Sequence, residues 1–285
     1  MQITPETTAD RSIGAILIDA GKLSVKNAEQ IIRLQKTESL RFGEAGVKLG
    51  LLTDSDIQYA LAKQYDYPYL AKGNGAVSDE LIAAYNPFSR RVESLRAMRS
   101  QLMLRRFTGE ASHKALAIVS PGRGEGRSFV AANLAIVFSQ LGERTLLIDA
   151  DLRNSRQHQL FRLEGRSGLS TVLAGRSDAG AVQRVPNFVD LSVLSAGPVP
   201  PNPQELLGRQ AFGGLLRDLD SEYDVILIDT PSTSDFADAH LVSASAGAAA
   251  VVVRKHFTRI EHVRRQTEVM NRSGVKVVGT VLNEF

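Results

Sequence analysis

The most constraining stretch of the sequence is a short apolar run, Ala117-Ile118-Val119, that passes directly into Ser120-Pro121-Gly122-Arg123-Gly124-Glu125-Gly126-Arg127-Ser128 and then into a helix-forming segment starting near Phe129 and containing Asn133, Leu134 and Ala135. A strand, a glycine-rich turn and a helix N-terminus in that order belong to an α/β layer. Gly122, Gly124 and Gly126 let backbone amides converge on an anion, and the helix adds positive potential at the same point. Ser128 is spaced to put its hydroxyl on Mg²⁺. Two positions depart from the usual phosphate loop. Pro121 stands where its first glycine is expected, and Arg127 stands where a lysine is expected. Arginine grips phosphate as a broad planar fork and lysine as a point charge, so nucleotide binding tolerates the exchange more easily than group transfer does. On glycines alone, the segment is equally readable as a tight strand-to-helix turn.

Further along, the pattern remains that of a buried parallel sheet flanked by helices. Compact β-branched runs at Ala115–Val119, Thr145–Ile148, Leu191–Leu194, Val225–Ile228, Ala248–Val253 and Val275–Leu282 are separated by amphipathic stretches. Two runs end in acids. Leu146-Leu147-Ile148 leads into Asp149-Ala150-Asp151-Leu152-Arg153, and Val225-Ile226-Leu227-Ile228 into Asp229-Thr230-Pro231. Carboxylates at the C-terminal ends of parallel strands face the ligand crevice, where they can hold Mg²⁺ and its waters. A single such acid could cap a helix; three beside a glycine-rich turn point to a metal-assisted phosphate site.

The first quarter of the chain is organised differently. Gly14, Gly21, Leu23 and Gln35 recur 29 positions later as Gly43, Gly50, Leu52 and Gln64. Each unit reads as a short helix ending at a glycine cap, a turn and a longer helix, as in Ile57, Leu61 and the aliphatic part of Gln64. Residues 8–72 are therefore expected to form a small, mainly helical domain. Gly73-Asn74-Gly75 and Asn86-Pro87 suggest a linker over 73–86, with the α/β domain over 87–285.

Composition closes off several alternatives. With no cysteine there are no disulfides, thiolate metal sites or cysteine nucleophiles, which fits a reducing cytoplasm. Lys and Arg number 34 against 31 acids, an excess too small to argue for nucleic acid as a partner. The basic stretches at 90–106 and 254–272 read as solvated helix faces. His256 and His262, six apart, do not share a helical face and do not make a metal pair. No run approaches the roughly 18 to 20 apolar residues of a membrane span, so a membrane role is expected to come through a partner.

With these motifs together, residues 87–285 resemble the bacterial protein-tyrosine kinases that control exopolysaccharide assembly, and within them the EpsG-type branch of chain-length-determinant kinases. The strand end Asp149-x-Asp151-x-Arg153 resembles their Walker A′ motif, and Val225 to Pro231 their Walker B. The segment Ser195-Ala196-Gly197-Pro198-Val199-Pro200-Pro201-Asn202-Pro203-Gln204-Glu205-Leu206-Leu207 is similar to a loop and helix start characteristic of the family. Glu93, Arg96 and Arg99 resemble the Glu-x-x-Arg-x-x-Arg helix through which these kinases form homo-oligomeric rings. The same spacing also suits a solvated salt-bridge stripe.

The resemblance implies a P-loop fold that binds ATP and Mg²⁺. Gly122, Arg123, Gly124, Glu125, Gly126, Arg127, Ser128 and Phe129 would surround the nucleotide, and Ser128, Asp151 and Asp229 would hold the metal. Asp149 would accept the proton of an attacking tyrosine hydroxyl, with Asp151 and Arg127 as the other catalytic groups. Asn283 resembles an adenine-contacting residue, or else closes the last strand as a turn residue. The implied partner is a transmembrane polysaccharide co-polymerase that draws a cytoplasmic protein to the inner membrane.

The N-terminal repeat resembles the N-terminal domain of type II secretion and pilus ATPases, which in some members binds cyclic di-GMP. Arg41-Phe42-Gly43 fits the start of that motif while Ser12 takes the equivalent arginine position, so protein docking is the alternative. No tyrosine-rich tail follows, and Tyr65, Tyr67 and Tyr69 alternate as on an extended edge, so phosphorylation of a C-terminal cluster is not expected. Two other readings stay open: a nucleotide-dependent adaptor without kinase chemistry, and a partitioning or cell-division ATPase. The latter would carry a lysine at position 122 and lack the Pro-Pro-Asn-Pro segment.

Overall fold

A computed structural model describes residues 12–65, 70, 75–107, 114–177 and 179–285. The chain separates into two compact units, Met1–Ala71 and Lys72–Phe285.

In the first unit the 29-residue repeat becomes two successive helix pairs, α1 (Ile13–Asp19) then α2 (Val25–Glu38), and α3 (Phe42–Lys48) then α4 (Asp54–Gln64), which pack across the repeat, α1 against α4 and α2 against α3. Gly21 and Gly50 follow the short helices with φ of 68° and 66°, and their N–H groups donate to the carbonyls of Ile18 and Val47, both at 2.9 Å. A left-handed residue at each position is what only glycine supplies cheaply, which is why the repeat keeps glycine there. The longer helices start at hydroxyl caps: Ser24 accepts from Asn27 N, and Thr53 from Asp56 N. Ile16, Leu17, Leu23, Ile31, Leu52 and Ala60 form the shared core. Ser12 and Arg41, equivalent in the repeat, are both N-caps; the serine hydroxyl accepts from Ala15 N, whereas Arg41 is exposed. Tyr65 caps α4 and is exposed, while Tyr67 and Tyr69 lie outside the described residues.

The second unit starts with α5 (Ile82–Tyr85) and α6 (Arg90–Leu102), which runs into a π-helical turn at Met103–Phe107. It continues through β1 (Ala115–Val119), α7 (Arg127–Ser139), β2 (Thr145–Asp149), α8 (Gln157–Leu160), α9 (Leu169–Leu173), β3 (Gln183–Arg184), β4 (Leu191–Leu194), α10 (Pro203–Leu207) and α11 (Gln210–Leu219). It closes with β5 (Val225–Asp229), α12 (Asp238–Ala246), β6 (Ala248–Arg254), α13 (Ile260–Arg272) and β7 (Lys276–Asn283). The strands form one sheet in the order β3-β4-β2-β5-β1-β6-β7, parallel except for β3. This is the α/β P-loop architecture expected from the sequence.

Every residue of β1, β2, β4 and β5 is buried, as a sheet covered on both faces requires. Helix α7 is buried without interruption from Val130 to Ser139, so it behaves as a core helix and not an amphipathic surface one.

Residues 77–86, part of the expected linker, pack onto α7. Val77, Leu81, Ala83, Ala84 and Tyr85 are buried. Asn133 on α7 accepts from Ala83 N at 2.9 Å and donates to the Glu80 carbonyl at 3.2 Å, while the Tyr85 hydroxyl donates to the Val77 carbonyl at 2.7 Å. Gly73 and Asn74 lie outside the described residues.

Candidate functional site

The site is assembled by register. β1, β5 and β2 are neighbours at the centre of the sheet, with Asp149 directly opposite Asp229 and Ile118 opposite Asp229. The turn after β1 therefore emerges beside both acidic strand ends. This places Ser120 and the glycine loop against carboxylates distant in sequence.

The loop takes the form its glycines permit. Gly124 and Gly126 have φ of 71° and 87°. A Cβ on Gly126 would stand 2.0 Å from Asn283 Nδ2, so the last residue of β7 and the loop backbone share a space only glycine leaves open. Asn283 Nδ2 donates to the Glu125 carbonyl at 3.1 Å. Glu125 is buried, and its carboxylate accepts from Gly122 N at 2.9 Å and from the Thr258 hydroxyl. Arg254 spans the same corner, donating to the Phe285 carbonyl and stacking 4.2 Å from the centre of its ring. Arg123 instead points outward to an ion pair with Asp235 at 2.7 Å, on the loop after β5. That loop is stitched to the phosphate turn by Thr233 N and Ser234 N, which donate to the carbonyls of Ser120 and Pro121.

Arg127 turns inward. Its Nη1 donates to Ser120 Oγ at 2.7 Å, while Nη2 lies 3.5 Å from Asp151 Oδ2 and Nε 3.4 Å from Asp229 Oδ1. The side chains of Arg127, Asp151 and Asp229 are only 11%, 8% and 1% exposed. The contact with Asp151 is a long hydrogen bond as well as an ion pair, whereas the contact with Asp229 is an ion pair alone, since Arg127 Nε and Asp229 Oδ1 remain buried without a hydrogen-bond partner. Burial pushes the Asp229 carboxyl up, against the Arg127 guanidinium, the Ser128 hydroxyl and the Gln157 amide, which pull it down.

Asp149, expected to take a proton from an incoming hydroxyl, is fully buried. Its Oδ1 accepts from Asp151 N, and its Oδ2 accepts from Arg156 N and Gln157 N. Burial, and after it the charge of Asp229, raise its proton affinity well above that of an ordinary carboxyl. A cavity of about 300 Å³ is lined by residues 123–129, Asp151, Asn154, Arg156, Pro231, Ser232, Asp235 and Phe236, but not by Asp149. Of the three strand-end acids, Asp151 alone lines this cavity. Asp151 Oδ1 is oriented by Asn154 N at 2.9 Å, and Arg153 stacks 4.0 Å from the Phe236 ring centre while its Nε donates to Asp238 at 2.9 Å.

A larger groove of about 1050 Å³ adjoins the loop at Gly124, Gly126 and Phe129, running between α6 and β7 down to Asn283 and Phe285. The three α6 residues singled out from spacing share a face but engage their own chain. Glu93 pairs with Arg96 at 3.1 Å, and Arg99 Nη1 donates to the Val137 carbonyl at 2.7 Å.

These residues fit a magnesium nucleotide. Mg²⁺ keeps several waters and is usually held by one or two carboxylates together with substrate phosphate. That matches Asp151, Asp229 with an Oδ1 that makes no hydrogen bond, and the Ser128 hydroxyl. Among the described residues no three acids or histidines converge closely enough to hold a metal unaided. Sequence reasoning missed Ser120, Arg156 and Gln157. Ser120 carried a signal, a hydroxyl at the mouth of the glycine turn; the other two become relevant only through folding.

Comparison with known proteins agrees with this geometry. Residues 111–284 match the ParA family model described as NUBPL iron-transfer P-loop NTPase. The chain is 34% identical over 219 residues to the putative tyrosine-protein kinase CapB of Staphylococcus aureus, a match that spans 76% of this chain and 93% of that one. It is also 34% identical over 206 residues to the tyrosine-protein kinase wzc of Salmonella typhimurium, where the match takes in 72% of this chain and 28% of the relative's length. Among solved structures, the chimerical protein CapA2B2 superposes with a TM-score of 0.67 at 33% identity, covering 79% of this chain and 97% of the other.

Proposed function

The chain belongs to the bacterial tyrosine-kinase family of P-loop proteins, and from that premise we propose that it transfers the γ-phosphoryl group of ATP to a protein tyrosine. The observation that carries the reading is the convergence of Arg127, Asp151 and Asp229 at the mouth of a glycine loop whose backbone is already bent for phosphate. Phosphoryl transfer depends chiefly on in-line positioning and charge neutralisation, and this cluster supplies both in kind.

Gly122, Gly124 and Gly126 offer the backbone curvature, with the start of α7 adding its dipole to the amides. Ser128, Asp151 and Asp229 would hold Mg²⁺, which when bound neutralises phosphate charge. Arg127 balances the two carboxylates, and its guanidinium is able to grip phosphate on leaving them. Asp151 makes the contact with the tyrosine hydroxyl. Asp149, joined to it by the Asp151 N–H, shapes the 151–157 turn and the local field. Phe129, Glu125 and Asn283 support the nucleotide from the β7 side, and Arg123 with Asp235 closes the outer rim.

Regulation of exopolysaccharide chain length and export, with a transmembrane polysaccharide co-polymerase as partner and recruitment to the inner membrane through it, is the biological setting this family supports. Within it we place the chain in the EpsG-type branch. A ring built through Glu93, Arg96 and Arg99 belongs to the same reading. For the N-terminal unit, proposed to span residues 8–72 and to resemble secretion-ATPase N-terminal domains, we favour protein docking, because only the second repeat offers an arginine at the position where cyclic di-GMP recognition begins. Cyclic di-GMP uptake lost in Arg41→Ala would reverse that preference.

The test is to incubate purified protein with γ-labelled ATP and Mg²⁺, alone and with the cytoplasmic segment of a co-polymerase. Phosphotyrosine that disappears in Asp151→Asn is the expected result. ATP uptake with no phosphotyrosine under either condition would replace the kinase by a nucleotide-binding adaptor, the reading that arginine at 127 favours.

A further inference from the structure

Gln157 belongs to none of the sequence motifs, yet it stands where they meet. It is completely buried at the first position of α8. Its Nε2 donates to Asp229 Oδ2 at 2.8 Å and to the Ser128 carbonyl at 3.2 Å, and its backbone N–H donates to Asp149 Oδ2 at 3.0 Å. One side chain and its own amide thereby tie together the ends of β5 and β2 and the first turn of α7. Chemistry fixes the orientation of the side-chain amide. Both neighbours of Nε2 are acceptors, so the reversed amide would set its oxygen against a carboxylate and a carbonyl. In the observed orientation Oε1 is buried without a partner among the described residues. An apolar side chain of the same length would fill this space without that cost, so packing alone does not account for an amide here.

We propose that Gln157 is a positioning residue for the metal-facing carboxylate of Asp229. By engaging Oδ2 it leaves Oδ1, the oxygen 3.4 Å from Arg127, as the one presented toward the phosphate loop. Through the Ser128 carbonyl it also fixes that carboxylate against the turn that carries the Ser128 hydroxyl. Outer hydrogen-bond partners of metal-binding carboxylates orient them, and their loss costs metal affinity far more than fold. The inference rests on the assignment of Asp229 and Ser128 to Mg²⁺ made above.

The full-length chain carrying Gln157→Met, which keeps length and removes the donor, is compared with wild type by calorimetry of ATP uptake in chelator and across a Mg²⁺ titration. Gln157→Leu, which also lacks the donor and adds no charge, serves as the second variant should the methionine substitution impair folding. In both, half-saturating Mg²⁺ is expected to rise about ten-fold, with uptake in chelator unchanged. Unaltered Mg²⁺ dependence in either folded variant overturns the positioning role and leaves the metal assignment standing. Parallel loss of uptake with and without metal overturns it in favour of a packing role. Wild-type uptake indifferent to Mg²⁺ overturns both the inference and the assignment of Asp229 as a ligand.

Discussion

At position 127 the exchange of lysine for arginine changes what one cation can touch. A lysine ammonium is a single point; the guanidinium reaches Ser120, Asp151 and Asp229 at once. Arg127→Ala would strand two buried acids without a counter-charge. We expect it to lower metal-free thermal stability by about 1–3 kcal/mol, read by calorimetry, and to weaken ATP uptake by about ten-fold or more, since a charge-assisted hydrogen bond is worth about 1.5–3 kcal/mol. Arg127→Lys should retain uptake and raise the rate of phosphotyrosine formation relative to wild type, because the compact ammonium releases the carboxylates more readily. An equal or slower rate in Arg127→Lys would mean the guanidinium is itself suited to transfer. The sequence exposed Arg127 as a departure from the usual loop but not its inward turn, which depends on Ser120 and on two strand ends that only the sheet brings near.

Among the elements, the turn between β1 and α7 is the one most tightly specified. Gly126→Ala would put a Cβ 2.0 Å from Asn283 Nδ2 on a residue whose φ is 87°. We expect loss of ATP uptake together with at least about 1 kcal/mol of stability, measured by denaturant unfolding and nucleotide titration. Asn283→Ala alone should leave the fold intact. The strands from Ala115 to Val119 and from Val225 to Asp229 were legible because buried parallel strands are continuous apolar runs. β3 was not, because Gln183-Arg184 is two polar residues at an edge, with no hydrophobic pattern to betray it. The 77–86 strap was misread because Gly75 and Asn86-Pro87 carry turn chemistry, whereas the anchoring comes from Asn133, some fifty residues on. In the candidate site, the loop glycines and the three aspartates were readable from spacing. The enclosure of Asp149 by the backbone amides of 156 and 157, with Asp151 left on the cavity wall, was not, since it depends on the turn after β2.

For the whole molecule, the two units offer separate handles. In the first, the Lys22 ammonium, followed by the Thr53 hydroxyl, holds the Asp56 carboxyl at about 2, below its ordinary 3.8. A depressed carboxyl contributes stability that is complete above about pH 4 and vanishes as pH falls through about 2. Because Lys22 is 39% exposed, that contribution is below about 1 kcal/mol. Lys22→Met is therefore expected to weaken hydrogen-exchange protection of α1 and α4 slightly at neutral pH and to match wild type once the carboxyl is protonated in strong acid. In the second unit, the ring reading predicts that Arg96→Ala shifts light-scattering mass toward monomer without altering ATP uptake. Arg99→Ala should also cost stability, because Arg99 donates to the Val137 carbonyl of α7.

The bond from Asn283 to the Glu125 carbonyl, with Phe285 clasped by Arg254, has a practical corollary. A fluorophore carried on a cysteine substituted for Phe285, a unique label in a chain without cysteine, would sit within two side chains of the glycine turn and tug on the backbone that must cradle phosphate. Labels intended to report on nucleotide uptake belong away from this corner, and a sample labelled at 285 that fails to take up ATP would say more about the label than about the protein.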